Sequence, residues 1–197
     1  GLRLIYAFNH DEATRAFKEA ARLDPNCAMA YWGIAVTLGP NYNLPVDAER
    51  DRAAYEALQK ALALAPKASE AERAYIEALA KRHVADPKAD RKALDVAYAD
   101  AMREVAKRFP EDLDAATLFA EAMMNLRPWE LWTMDGQPAP GTEEIVSTLE
   151  SVLQRNPEHP GAIHYYIHAV EASNQPERAE PFADRLGELM PAAGHLV

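Results

Sequence analysis

The chain is poor in several features that would narrow its class, and each scarcity excludes something. It has one cysteine, Cys27, so neither an intrachain disulfide nor a multi-cysteine zinc centre can form. Cys27 falls at a predicted helix start, where a small buried thiol fits and no neighbour lowers its pKa toward a reactive thiolate. Glycine is scarce, at 8 of 197 residues, and the sequence holds neither a phosphate-cradling glycine loop nor a dinucleotide fingerprint. No Ser/His/Asp arrangement can be placed in space, which makes catalysis the minority reading. No run approaches the ~20 apolar residues of a membrane span. Basic side chains are outnumbered, 21 Lys and Arg against 31 Asp and Glu, for a net charge of -10. That balance speaks against non-specific nucleic-acid binding, which needs a basic face, and against docking on anionic lipid. It suits a basic peptide, a cation or a metal, or serves solubility alone.

What the chain has instead is helical periodicity, repeated. Five segments close in the same way, ARLDP at Pro25, ALALAP at Pro66, VAKRFP at Pro110, VLQRNP at Pro157 and GELMP at Pro191. Each ends an amphipathic helical pattern, and each of the first four is followed by another. In the first unit Ala13, Phe17, Ala20 and Pro25 are spaced 4, 3 and 5 apart. The later units repeat the pattern with Ala54, Leu58, Ala61 and Pro66, then Tyr98, Met102, Val105 and Pro110. Ile145, Leu149, Val152 and Pro157 follow, then Ala179, Ala183, Leu186 and Pro191. Small residues let antiparallel helices approach, bulky ones fill the space between neighbouring hairpins, and proline stops the second helix. Ser69-Glu70-Ala71-Glu72 reads as a capping box, and Asp24-Pro25-Asn26 and Thr142-Glu143-Glu144 read as further helix starts. No segment reads as a strand of convincing length.

These landmarks resemble the tetratricopeptide repeat over essentially the whole chain, with Gly1 at the place of its helix-contact glycine. The resemblance implies an all-α, right-handed solenoid of about five helical hairpins forming a single domain over residues 1–197. The proline intervals are 41, 44, 47 and 34 residues, against a standard period of about 34. The first three therefore carry insertions between the two helices of a unit: Gly39 to Pro45, a segment around His83 to Lys92, and Asn125 to Thr142. Their Pro, Gly, Asn and Asp content marks loops, and insertions of this kind emerge on one edge of a solenoid and often contribute to binding.

In such a stack the first helices line a concave groove. Carried onto this phase, the resemblance places Trp32, Glu77, Thr117, Glu121, His164, His168 and Glu171 among the groove residues, with His195 at the start of a sixth unit. His164, His168 and Glu171 lie at i, i+4 and i+7 on one helical stripe. Two imidazoles one turn apart can share a divalent transition metal, which a carboxylate completes or orients, and His195 is a further candidate ligand. The other reading is a polar groove floor of hydrogen-bonded histidines, and both stay open. The zinc-peptidase helix signature is not met, because Tyr165 stands where its glutamate is needed. Asn125, Arg127 and Trp129 of the NLRPW loop offer an amide, a guanidinium and a ring, the side chains that anchor partners; Trp129 and Trp132 also suit pinning that loop onto the stack. Asn41 and Tyr42 can reach a ligand or simply form the turn between Gly39 and Pro45.

The segments GLRLIYAFNHDEA, DPNCAMAYWGIA, GPNYNLP, NLRPW, HPGAIHYYIHAVEAS and AGHLV are together similar to a group of bacterial tetratricopeptide proteins of unassigned biochemical role. That similarity implies a longer protein with an exported N-terminal region, a periplasmic or extracytoplasmic location, and a further histidine-containing helix after Leu196-Val197. The expectation is a scaffold that holds a peptide or protein segment in its groove, with no cofactor required. The alternative is a metal-binding protein or metal-dependent enzyme centred on His164, His168 and Glu171. Cut terminal repeats would leave apolar faces open to self-association.

Overall fold

The computed structural model describes residues 1–194 and is all-helical. Ten α-helices follow one another: α1 (Leu2–Tyr6), α2 (His10–Leu23), α3 (Ala28–Leu38), α4 (Ala48–Leu64), α5 (Glu70–Leu79), α6 (Arg91–Arg108), α7 (Leu113–Met124), α8 (Thr142–Arg155), α9 (Pro160–Val170) and α10 (Glu180–Leu189). Among the described residues there is no strand, only isolated bridges at Asn41–Leu44 and Trp132–Pro138. No described helix is long and apolar enough to cross a membrane.

The helix stops are local chemistry. α2, α4, α6, α8 and α10 each end two residues before a landmark proline. A proline ring disfavours the α conformation in the residue before it. Asp24, Phe109, Asn156 and Met190 accordingly leave the helical region, with φ between -121° and -142°. Ala65 does not, because Pro66 instead opens a 3-10 turn over Ala65–Lys67. The starts are equally local. Ser69 and Glu72 form the expected capping box, and Asp47, Asp90 and Asp112 cap α4, α6 and α7 through their carboxylates. Two expected starts are differently made. Asp24 closes α2 and accepts the Asn26 N–H, while Cys27, half-buried, caps α3. Gly141, at φ 92°, caps α8, and Thr142 donates its hydroxyl to the Leu131 carbonyl at 2.7 Å.

Every helix packs on the next, and α3 also meets α5 while α7 meets α9. The repeated landmarks supply these contacts: Ala13, Ala54, Leu58, Ala61, Met102 and Leu149 have no exposed surface. Phe17 lies so close to Gly33 that a Cβ there would come within 2.3 Å of its ring. A further contact joins elements far apart in the chain. α1 lies against α9, and Tyr6 reaches across to donate its hydroxyl to Asp114 of α7 at 2.5 Å. Gly161 permits this approach, since a Cβ there would stand 2.6 Å from the Tyr6 ring. His164, expected to line the groove, is covered by this contact, and Trp32 and Thr117, expected there too, are likewise buried; the three are 3%, 4% and 0% exposed.

Candidate functional site

The long loops after α3, α5 and α7 gather at one edge of the molecule. A cleft of about 550 Å³ is lined by the 40–45 segment of the first insertion, by Asp86, Pro87 and Arg91 of the second, and by Asn125, Pro128 and Trp129 of the third. That volume is in the range of ordinary ligand sites. Asn41 forms its first wall. Its carboxamide oxygen accepts the N–H groups of Asn43 and Leu44, a side-chain-closed turn. Tyr42 is buried beneath Trp129, with ring centroids 5.0 Å apart, and its hydroxyl accepts the Trp129 N–H at 3.1 Å. Trp129 adopts φ 63°, a left-handed conformation uncommon for a bulky residue. Its side chain is 59% exposed at the lip of the cleft, and Leu44 on the opposite insertion is 51% exposed.

The floor is a network of charges. Asp51 accepts from Arg91 Nη2 at 2.6 Å and faces His83 Nδ1 at 2.7 Å. The His83 contact, then Arg91, hold the Asp51 carboxyl below its usual value, while burial pushes His83 down. Arg82 donates from Nε to Asp95 at 2.7 Å and lies over the Tyr98 ring. Arg82 Nη2 and the Asn125 carboxamide oxygen are buried without a hydrogen-bond partner, and both residues line the cleft. Such orphaned groups cost about 1–3 kcal/mol each. Behind them Glu121 accepts the Asn125 amide at 2.5 Å; burial raises its carboxyl pKa, with Arg82 opposing.

The other sequence candidates are distributed around this edge. Arg127 is exposed in an adjoining cleft of about 460 Å³ that shares Asn125. Trp132 donates its indole N–H to the Ala169 carbonyl at 2.7 Å and ties the third insertion to α9. His164, His168 and Glu171 form a chain of contacts, His164 Nε2 to His168 Nε2 at 3.1 Å and His168 Nδ1 to Glu171 at 2.8 Å. Among the described residues no group of three or more His, Cys, Asp and Glu side chains is placed to hold a metal, and His195 lies outside the described residues. Trp32 packs edge-on to Tyr75, and Thr117 donates to the Leu113 carbonyl within its own helix. Glu77 is exposed between α5 and α6, away from the cleft. Sequence reasoning did not single out Arg82, Asp51 or Asp95, which become cleft residues only through their folded neighbours; nor Phe8 and His10, whose roles depend on α1 reaching α9.

No family model, no curated protein and no solved structure matches the chain.

Proposed function

We propose that the chain is a right-handed solenoid of tetratricopeptide-type hairpins that acts as a binding module, taking an extended peptide segment bearing Lys or Arg in the cleft between its three insertions. The observation that carries this reading is the convergence of all three insertions on one cleft with Trp129 and Leu44 exposed at its lips. Exposed large apolar side chains around a concave site mark recognition surfaces. Asp47, Asp51, Asp86 and Asp95 outnumber Arg82 and Arg91 along the lining, and the chain carries a net charge of -10, so a cationic segment is drawn in.

Titration with a panel of unstructured basic, neutral and acidic peptides, read by tryptophan fluorescence and calorimetry, tests the reading. Basic peptides should bind and weaken with added salt. Trp129→Ala should cost about tenfold or more, as truncation of an interface anchor does, whereas Glu77→Ala should change nothing. Binding that is indifferent to Trp129→Ala and falls with Glu77→Ala would move the site away from the cleft and sink the idea.

A further inference from the structure

Tyr42 and Trp129 wall two cavities. One is the cleft between the long loops. The other is smaller, about 240 Å³, and is completed by Leu131, Trp132, His168 and Glu171. Its aromatic walls are fixed from outside. The Tyr42 hydroxyl accepts the Trp129 N–H at 3.1 Å, and the two rings lie 5.0 Å apart with a tilt of 34°. The Trp132 indole N–H donates to the Ala169 carbonyl at 2.7 Å, and Trp132 pairs with Pro138 in an isolated bridge. Trp129 stands at 80° to the His168 ring, with centroids 5.7 Å apart, so the walls turn a corner. Glu171 is the one carboxylate of the lining, and its Oε1 faces His168 Nδ1 at 2.8 Å. Burial raises the Tyr42 phenol pKa, the Trp129 N–H opposes, and the Glu171 charge adds to the rise. The negative charge is thus felt at the rings.

We propose that this cavity binds the trimethylammonium group of a small free organic cation, held against the rings of Tyr42, Trp129 and Trp132 and the carboxylate of Glu171. Ring quadrupoles attract a cation placed near them, most strongly for tryptophan, and cages of several rings are how quaternary ammonium groups are recognised. The walls choose among cations. A primary ammonium has three N–H donors, and each must exchange water for an acceptor. Here one carboxylate serves, with one oxygen already turned to His168, so a primary ammonium would enter with donors unsatisfied at a cost. A trimethylammonium group has no donor and spreads its charge over methyl groups, which suits ring walls beside a single carboxylate. The net charge of -10 draws cations toward the site. Rings held in place before the ligand arrives lower the ordering cost of binding. The inference shares Trp129 and Tyr42 with the peptide cleft but does not rest on that reading, because Trp132 and Glu171 line this cavity alone.

The test uses the whole chain, titrated with choline by calorimetry and by proton magnetic resonance of the ligand. One choline per chain should bind, and its N-methyl signal should move upfield under the ring currents. Affinity should exceed that for ethanolamine and for neohexyl alcohol, the uncharged carbon isostere of choline, by about tenfold. Tetramethylammonium should compete. Trp129→Leu keeps bulk and removes a ring; it should weaken binding about tenfold and reduce the upfield shift. Glu171→Gln, at an exposed position, should weaken binding severalfold. Circular dichroism confirms that each variant is folded, and Glu171→Gln keeps the test decisive if Trp129→Leu is not. No binding at millimolar choline, equal binding of neohexyl alcohol, or binding that neither substitution changes overturns the proposal. Co-sedimentation with phosphatidylcholine vesicles without binding of free choline would overturn the assignment to a free molecule. Titration of Glu171→Gln with basic peptides reads the cleft separately, since Glu171 does not line it.

Discussion

The seams among α2, α3 and α4 are made largely of alanine and leucine, whereas the seam that brings α1 onto α9 is made of rings. Between α2, α3 and α4 the buried contacts are Ala13, Ala35, Ala54, Leu58 and Ala61, with Phe17 filling the space beside Gly33. Between α1 and α9, Tyr6 meets His159 and Tyr165, and Phe8 meets His164, at centroid distances from 4.4 to 5.9 Å. Hydrogen bonds from Tyr6 and His159 to Asp114 tie the seam to α7. The difference follows from the task. Neighbouring hairpins are already close, and small side chains suffice to bring their axes together. Joining elements about 150 residues apart must offset a larger loop-closure entropy. Large rings bury more surface per residue, and their hydrogen bonds fix one orientation.

That contrast predicts different responses to damage. Leu58→Ala, in a local seam with no exposed surface, should cost about 3 kcal/mol through lost burial and a residual cavity. Urea unfolding should shift as a whole, with fluorescence and circular dichroism moving together; a loss under 1 kcal/mol would mean that this seam is loosely packed. Gly161→Val should cost about 2 kcal/mol, because the new side chain meets the Tyr6 ring. Its effect should be confined to the seam: hydrogen exchange should quicken in α1 while α3 and α4 keep their protection. Uniform loss across the chain would erase the distinction between the two seams.

A third response depends on pH. His10 borders a closed chamber beside Phe8, Arg82, Glu121 and Tyr165. Burial first, then Arg50, hold its pKa down at about 4, with Asp11 opposing. The unfolded chain takes up this proton near the ordinary value of about 6.5, before the folded chain does. The contribution of neutral His10 is therefore complete above pH 6.5 and is lost as pH falls toward 4, by up to about 3 kcal/mol. His83, lowered by burial, acts in the same direction. Urea midpoints at pH 7.5 and 4.5 should differ less in His10→Gln than in the parent chain, and an unchanged difference would assign the acid sensitivity elsewhere. The smallest effect belongs to a helix end. Ser69→Ala should cost about 1 kcal/mol by opening the capping box of α5, with no change in exchange at the α1–α9 seam.

Legibility followed sequence distance. Four of the prolines announced where α2, α6, α8 and α10 stop, because the clash that ends each helix lies within one residue of the ring, and Pro66 announced the change from α4 to a 3-10 turn. Ser69 announced the start of α5 for a similar reason. The composition of three segments announced long loops, but their gathering around one cleft depends on how consecutive helices are rotated, which no local motif encodes. The stripe of His164, His168 and Glu171 was readable from helical spacing. The partners that orient it, Tyr6 and Phe8, were not, since they lie more than 150 residues earlier in the chain. Arg82 gave no signal of its own: it becomes a cleft residue only because Asp95 and Tyr98 of α6 fold back beside it.

The sequence by itself determined the helical elements, their ends, the long loops and the small-residue contacts between neighbours, all of which arise from sterics and hydrogen bonds over a few residues. Only the tertiary structure decided that α1 would lie against α9 and cover His164, that Trp32 would pack on Tyr75, and that a cleft would form beneath Trp129 and Leu44. The physical reason is that such a closure is chosen by the sum of many distant contacts, among them a Tyr6 ring that fits only against the bare backbone of Gly161.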